Sequence, residues 1–208
     1  LESQALAHCL KAQEALIIDV GGRITAISLV RNGSLVALRT LPISGHIVTR
    51  RLAEKLGLSS QQAEDLKIAY NHGKLNEAVA ASIQEILAPL IETWLSQVEK
   101  ELAEVSAEDA LPPHLYLCGG GSELSEVVES VHAFPWMRAL PFVRYPEIQL
   151  LNPFDIPHVL NRTGIALTRG STVAMGLARW ASRRKSEEGL PTQLLNKVTK
   201  EMDAFVEG

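Results

Sequence analysis

The apolar positions of this chain follow two rhythms, and the change between them divides it. From residue 15 to residue 41, apolar and β-branched side chains come in three short runs, at 15–20, 24–31 and 34–41. Runs of that length and composition read as strands. Asn32-Gly33 separates the last two, and both residue types accept positive φ, so a two-residue hairpin is expected there. On either side the spacing lengthens to three and four. Residues 1–13 place Leu1, Ala5, Leu6, Cys9 and Leu10 on one helical face. A second helix is predicted over 47–56, stopped by Gly57, and a third from a Ser59 or Ser60 cap to about Asn71. The longest pattern covers 75–105, with Leu75, Val79, Ile83, Ile86, Leu90, Trp94, Val98, Leu102 and Val105 at helical spacing. Pro89 lies inside it and is expected to kink or split it. After a loop at 109–113 come a strand at 114–118, a helix at 122–131, a strand at 139–145 and a helix at 172–184. Three antiparallel strands followed by alternating helices and strands predict an α/β layered domain.

Two glycine-centred turns punctuate this pattern about a hundred residues apart. The first ends the run Leu16-Ile-Ile-Asp-Val-Gly-Gly-Arg-Ile-Thr25, and the second ends Leu115-Tyr-Leu-Cys-Gly-Gly-Gly-Ser-Glu-Leu124. A strand closing in small residues lets backbone N–H groups gather round an anion, because no Cβ blocks the approach. At the ends of neighbouring strands, two such turns would form opposite lips of a cleft for a phosphorylated ligand.

These residues resemble a known superfamily. Asp19-Val-Gly-Gly-x-x-Thr25 is similar to the second phosphate motif of the actin/Hsp70/sugar-kinase superfamily, and Leu117-Cys-Gly-Gly-Gly-Ser-Glu-Leu124 to its adenosine motif. Leu41-Pro-Ile-Ser-Gly-His-Ile-Val-Thr49, Ala63-Glu-Asp-Leu-Lys67 and Val173-Ala-Met-Gly-Leu-Ala178 resemble the bacterial branch containing FtsA and PilM. The resemblance covers roughly Glu2 to Arg179 and implies an RNase H-like, actin-like ATPase lobe. Its mixed sheet would hold three antiparallel strands followed by α/β units, with helices on both faces. In that superfamily two lobes face each other across the nucleotide. No second Asp-x-Gly hairpin occurs here, so the chain reads as a carboxy-terminal lobe, cut from a longer protein rather than a natural remnant. Residues 1–14 would be the connector helix from the missing amino-terminal lobe, 15–185 the lobe itself, and 186–208 a helical tail.

The resemblance also assigns roles. The N–H groups of Gly21, Gly22 and Arg23 would face the β- and γ-phosphates of ATP, and Asp19 would hold Mg²⁺, which keeps several of its waters when bound. The Thr25 hydroxyl would steady the turn or meet a phosphate oxygen. Gly119, Gly120, Gly121 and Ser122 would pass under the adenosine, with the following helix opening towards the α-phosphate. Glu64 and Lys67, three apart on one helical face, would reach the ribose and base edge, or form an ordinary ion pair in solvent. Three departures point to a weakened site: Ile24 in the first turn, Ser44 before the second helix, and Ser125-Glu126 after the second turn. Glu126 would oppose phosphate if it pointed inward. ATP and Mg²⁺ binding are therefore expected to be weak or absent in the isolated lobe, and no catalytic residue is assigned.

Composition narrows the classes. A formal net charge of −4, with the signs mixed along the chain, gives no footprint for nucleic acid. Two cysteines make no disulfide framework, and Cys118 reads as a buried thiol. The amino terminus shows no basic region followed by an apolar core, and no uninterrupted apolar run is expected to cross a bilayer. The six histidines show no metal-ligand spacing, and neither glycine turn completes a P-loop, a G-x-G-x-x-G fingerprint or a nucleophile elbow. In the tail, Leu190, Leu194, Leu195, Val198, Met202, Phe205 and Val206 line one side of an expected helix. Its other face mixes Lys197 and Lys200 with Glu201, Asp203 and Glu207, poorer in basic residues than a membrane-surface helix, which favours the pilus-assembly side of the branch. The implied function is an ATP-binding scaffold of a bacterial membrane assembly, in pilus assembly or secretion or in cell division. It would be cytoplasmic, or peripheral at the inner membrane through a partner. Its partners would be the missing lobe and a cytoplasmic segment of a membrane assembly protein, with self-association left open. The alternative is one lobe of a sugar-kinase-like phosphotransferase or ATPase.

Overall fold

The computed structural model describes residues 2–187 other than 108, 163 and 165. The expected tail helix lies outside the described residues. Helix α1 (Glu2–Leu10) leads into strands β1 (Ala15–Val20), β2 (Thr25–Arg31) and β3 (Ser34–Leu41). Helices α2 (Gly45–Leu56), α3 (Ser60–Asn71) and α4 (Glu77–Val105) follow. The chain then forms β4 (His114–Cys118), α5 (Ser125–Ala133), the single turn α6 (Trp136–Ala139), β5 (Glu147–Leu150) and α7 (Thr172–Glu187).

The strands form one mixed sheet in the order β3-β2-β1-β4-β5. β1, β2 and β3 pair antiparallel, whereas β4 pairs parallel with both β1 and β5. Asn32 and Gly33 both take positive φ, as the hairpin between β2 and β3 requires. β1 lies at the centre, with Leu16, Ile17 and Ile18 wholly buried, because its two faces are both covered. Leu16, Ile18 and Val20 meet the larger core under α2, α4 and α5, whereas Ala15 and Ile17 meet a smaller core under α1 and α7. Helices thus cover both faces, and the carboxyl ends of β1 and β4 lie side by side.

Four expectations are corrected. α4 is one helix running through Pro89, not two. Its buried stripe is Ile83, Leu87, Ile91, Trp94, Val98 and Leu102, so Leu87 and Ile91 replace Ile86 and Leu90, and Val79 faces solvent. α4 is also long and apolar enough by length and composition to cross a membrane, although that stripe packs on the sheet. Residues 139–145 are not a strand. Leu140 and Phe142 instead join Trp136 in the core, Phe142 makes a single bridge to Leu111, and Val143 and Tyr145 stand exposed. The fifth strand is the short alternating run Glu147–Leu150. The helix expected at 122–131 begins only at Ser125, after a 3₁₀ turn over Gly120–Glu123.

Candidate functional site

The two glycine turns meet. β1 and β4 are paired from Leu16↔Leu115 to Asp19↔Cys118, so both turns leave the same edge of the sheet. Between them and α3 opens a cleft of about 240 Å³, lined by Gly21, Gly22, Gly45, His46, Glu64, Lys67, Ile68, Asn71, Gly120, Gly121, Glu123, Leu124 and Thr168. That is below the roughly 300–1,000 Å³ of pockets that enclose a ligand, as befits one wall of a larger site.

In the first turn the backbone is already arranged. The Gly21 N–H donates to the Ile24 carbonyl at 3.0 Å, closing the turn. The carbonyls of Gly21 and Gly22 accept from the N–H groups of Gly45 and His46, the first residues of α2, at 3.0 and 2.8 Å. Those bonds satisfy donors that a helix start otherwise leaves open. The expectation that three N–H groups face an anion is thus corrected for Gly21. The N–H groups of Gly22 and Arg23 make no hydrogen bond within the described residues. Arg23 and Ile24 are exposed. Thr25 is wholly buried: its hydroxyl donates to the Ile43 carbonyl at 2.7 Å and accepts from the Trp94 indole at 3.1 Å. Of the two roles foreseen for Thr25, the geometry supports the structural one.

In the second turn the glycines divide by role. Gly119 has φ +86°, and a Cβ there would fall 2.2 Å from Asp19 Oδ1 and 2.6 Å from the Val20 carbonyl. A Cβ on Gly121 would fall 2.4 Å from Val20 Cγ1. Both are glycine because this turn rides directly on the end of β1. Gly120 is different: it is exposed, and the nearest atom to its would-be Cβ is 3.8 Å away. Gly22, on the opposite lip, has nothing nearer than 3.9 Å. Packing does not demand glycine at either place. Ser122 is buried, its hydroxyl donating to the Gly119 carbonyl at 2.7 Å, so it shapes the turn rather than facing the cleft.

The wall opposite the turns is α3. Lys67 Nζ donates to Glu64 Oε2 at 2.8 Å, to Thr49 Oγ1 at 2.9 Å and to the Gly45 carbonyl at 3.4 Å. All three ammonium protons are therefore used, and the pair ties α3 to α2 instead of lying loose in solvent. Burial works to raise the Glu64 carboxyl, but the hydrogen bonds from Lys67 and Thr49 outweigh it and hold it below its ordinary range. Glu64 Oε1 makes no hydrogen bond within the described residues. One turn beyond Glu64 and Lys67, Tyr70 donates its hydroxyl to Glu126 Oε1 on α5. Burial, then the Glu126 bond, push the Tyr70 phenol above its usual value. Glu126 is buried and does not line the cleft, so the feared repulsion of phosphate does not arise from it.

Asp19, at the end of β1, faces the α1 side of the sheet and lies outside the cleft lining. Burial first, then the charge of Glu2, raise its carboxyl to about 6. A carboxylate held in such discomfort suits a cation, but among the described residues no three ligating groups gather to bind one. Magnesium would fit here only with oxygens supplied by a bound phosphate and water. Cys9 and Cys118 are both free and buried, and burial raises both thiols. Sequence reasoning assigned no role to Ile68, Asn71 or Thr168, nor to Gly45, His46, Glu123 and Leu124, although the last four lie inside the motifs that carry the resemblance. Asn71 could have been found, four residues after Lys67 on the same helical face. Thr168 carries no local signal, being brought to the cleft by the return of the chain into α7.

A family profile described as cell division protein FtsA matches residues 16–178. The chain belongs to the FtsA family. It is 25% identical over 169 residues to the FtsA of Pseudomonas aeruginosa, an overlap of 68% of this chain and 40% of that protein. Against the FtsA of Bacillus subtilis it is 28% identical over 145 residues, 61% of this chain and 33% of that protein. This FtsA-family chain therefore spans two-fifths or less of those two relatives. Among solved structures, it matches a chain of the PilM-PilN type IV pilus biogenesis complex with a TM-score of 0.65 at 22% identity, covering 86% of this chain and 51% of that one. MreB5 of Spiroplasma citri bound to AMPPNP matches with a TM-score of 0.54 at 15% identity, over 91% and 61% of the two chains. The fold is actin-like. The family match falls on the cell-division side of the branch, and the pilus protein enters as a likeness of fold.

Proposed function

We propose that this chain forms one wall of an ATP site in an actin-like scaffold serving a bacterial membrane assembly, with cell division ahead of pilus assembly. The observation that carries this reading is the pair Gly22 and Gly120. They line the cleft from opposite lips, and no packing contact requires glycine at either position. Glycine kept where nothing crowds it is explained by a ligand that comes close to the backbone. Across the cleft from them, Glu64 offers its unpaired Oε1 to a ribose hydroxyl, and the Gly22 and Arg23 N–H groups suit phosphate oxygens. Bound Mg²⁺ would neutralise phosphate charge, with Asp19 as the chain's contribution to its coordination, through water. The AMPPNP-bound MreB5 structure supports a nucleotide as the ligand class.

A second lobe would supply the remaining wall, and residues 1–14 would connect to it. Nucleotide binding would favour one arrangement of the lobes, and that arrangement would grip a cytoplasmic segment of a membrane-anchored partner. The PilM-PilN complex supports this kind of partnership. The protein would then act in the cytoplasm, at the inner membrane through its partner. The family match favours the scaffold over the phosphotransferase alternative.

The test is phosphate release and calorimetric ATP binding by the 208-residue chain and by the longer protein that contains it. The chain alone is expected to show no turnover above background and affinity no tighter than the millimolar range. Added sequence with a second Asp-x-Gly hairpin should raise affinity at least a hundredfold. Turnover by the chain alone that Asp19→Asn abolishes, or micromolar binding by it, would overturn the half-site reading.

A further inference from the structure

The Tyr70–Glu126 bond occupies an unusual place in the molecule. Tyr70 lies on α3 between Lys67 and Asn71, which both line one wall of the cleft. Glu126 lies two residues beyond Leu124, the last lining residue of the other wall. α2 and α3 are fixed to each other and to the first glycine turn through Gly45, Thr49, Glu64 and Lys67. Nothing in that network reaches α5. The Tyr70 hydroxyl, donating to Glu126 with the Ser125 hydroxyl also within its hydrogen-bond reach, is the group that joins α3 to the start of α5. Glu126 is only 8% exposed and has a second donor, the Ser125 hydroxyl at 3.3 Å. A buried carboxylate with so few donors depends on each of them, since losing a bond to a charged group costs more than losing one between neutral groups.

We infer that Tyr70 and Glu126 are positioning residues: their hydrogen bond is the strut that holds the two walls of the cleft at a fixed separation, so that the ligand's outer part meets a gap already set. This rests on the nucleotide reading above and extends it, because neither residue faces the ligand. It also gives a purpose to Glu126, a negative charge placed beside a phosphate site. Its carboxyl lies outside the cleft lining and accepts from Tyr70.

The test uses the 208-residue chain and amide hydrogen exchange. Tyr70→Phe keeps the ring and its packing, and Glu126→Leu keeps volume, so each should fold; Glu126→Gln keeps an acceptor oxygen and serves as the conservative control. In Tyr70→Phe, exchange at residues 66–71 and at 122–128 is expected to quicken about tenfold, with β1 and β2 changed less than twofold. Glu126→Leu should do the same, the double variant no more than either single, and Glu126→Gln much less. Quickening on one wall only, quickening spread evenly through the domain, or additive effects in the double variant would overturn the strut. ATP at millimolar concentration supplies the second arm, and it should protect 122–128 less in Tyr70→Phe than in the parent chain. Equal protection in both would overturn the positioning role. Absence of protection in the parent chain would agree with the weak or absent binding expected of the lobe alone, and the exchange without ATP then decides the strut by itself.

Discussion

Replacing each glycine of the second turn by alanine separates scaffold from site. At Gly119 the backbone sits at φ +86°, ψ 161°, a region held almost only by glycine, and occupying it with a side chain costs about 1–3 kcal/mol. The new Cβ would also lie 2.6 Å from the Val20 carbonyl, which is fixed backbone of the central strand. Relief requires the β4–α5 turn to lift from β1, an overpacking cost of about 1–3 kcal/mol more. Gly119→Ala should therefore lose about 2–6 kcal/mol, lowering the melting temperature by roughly 5–20 °C for a domain of this size. At Gly121 the 2.4 Å approach is to Val20 Cγ1, which can yield in part, so the loss should fall near the lower end. At Gly120 the added methyl meets nothing within 3.8 Å, and stability should change by less than about 0.5 kcal/mol. Urea denaturation followed by circular dichroism measures all three. If Gly119→Ala stays within 1 kcal/mol of the parent, or Gly120→Ala falls as far as Gly119→Ala, the division of the glycines into scaffold and ligand-facing is wrong.

The remaining predictions concern stability and pH. Thr25→Val removes the acceptor of the Trp94 indole and the donor to the Ile43 carbonyl, so about 1–3 kcal/mol should be lost in urea melts; no loss would mean that those groups find other partners. Pro89→Ala restores an N–H inside an uninterrupted helix at an exposed position, and should raise stability by about 1–3 kcal/mol. A fall would show that the proline is needed. Asp19, raised to about 6, holds its proton more tightly folded than unfolded. Its contribution is complete below about pH 4 and is lost as pH climbs through about 6, so the parent should lose up to about 3 kcal/mol relative to Asp19→Asn between those limits. Parallel pH profiles of the two proteins would refute the raised value.

The sheet was largely legible because its signals are local. Asn32-Gly33 fixes a hairpin by backbone conformation alone, and Gly57 closes α2 in the left-handed conformation (φ +66°) that it was expected to adopt. Where tertiary packing decides, the pattern misleads. Leu140-Pro-Phe-Val-Arg-Tyr145 is rich in β-formers, yet Leu140 and Phe142 satisfy their burial around Trp136, leaving no ladder for that segment to join. Glu147–Leu150 is too short to announce itself, and pairs because β4 offers an open edge. On α4 the stripe was right at Ile83, Trp94, Val98 and Leu102 but took Ile86 and Leu90, which only flank the core, in place of Leu87 and Ile91, because all four are apolar and the pattern alone does not choose between adjacent apolar positions. In the cleft, motif residues placed both lips and the Glu64–Lys67 wall. The inward and outward bonds of individual groups were not legible, because a one-dimensional pattern does not say which carbonyl a given N–H will meet.

The backward-facing carbonyls of Gly21 and Gly22 carry a mechanical consequence. They are bolted to the first turn of a twelve-residue helix, which is itself bolted to α3 through Thr49 and Glu64. The tip of the hairpin therefore cannot give way alone. A load placed on Gly22 falls on two helices at once rather than on a loose loop.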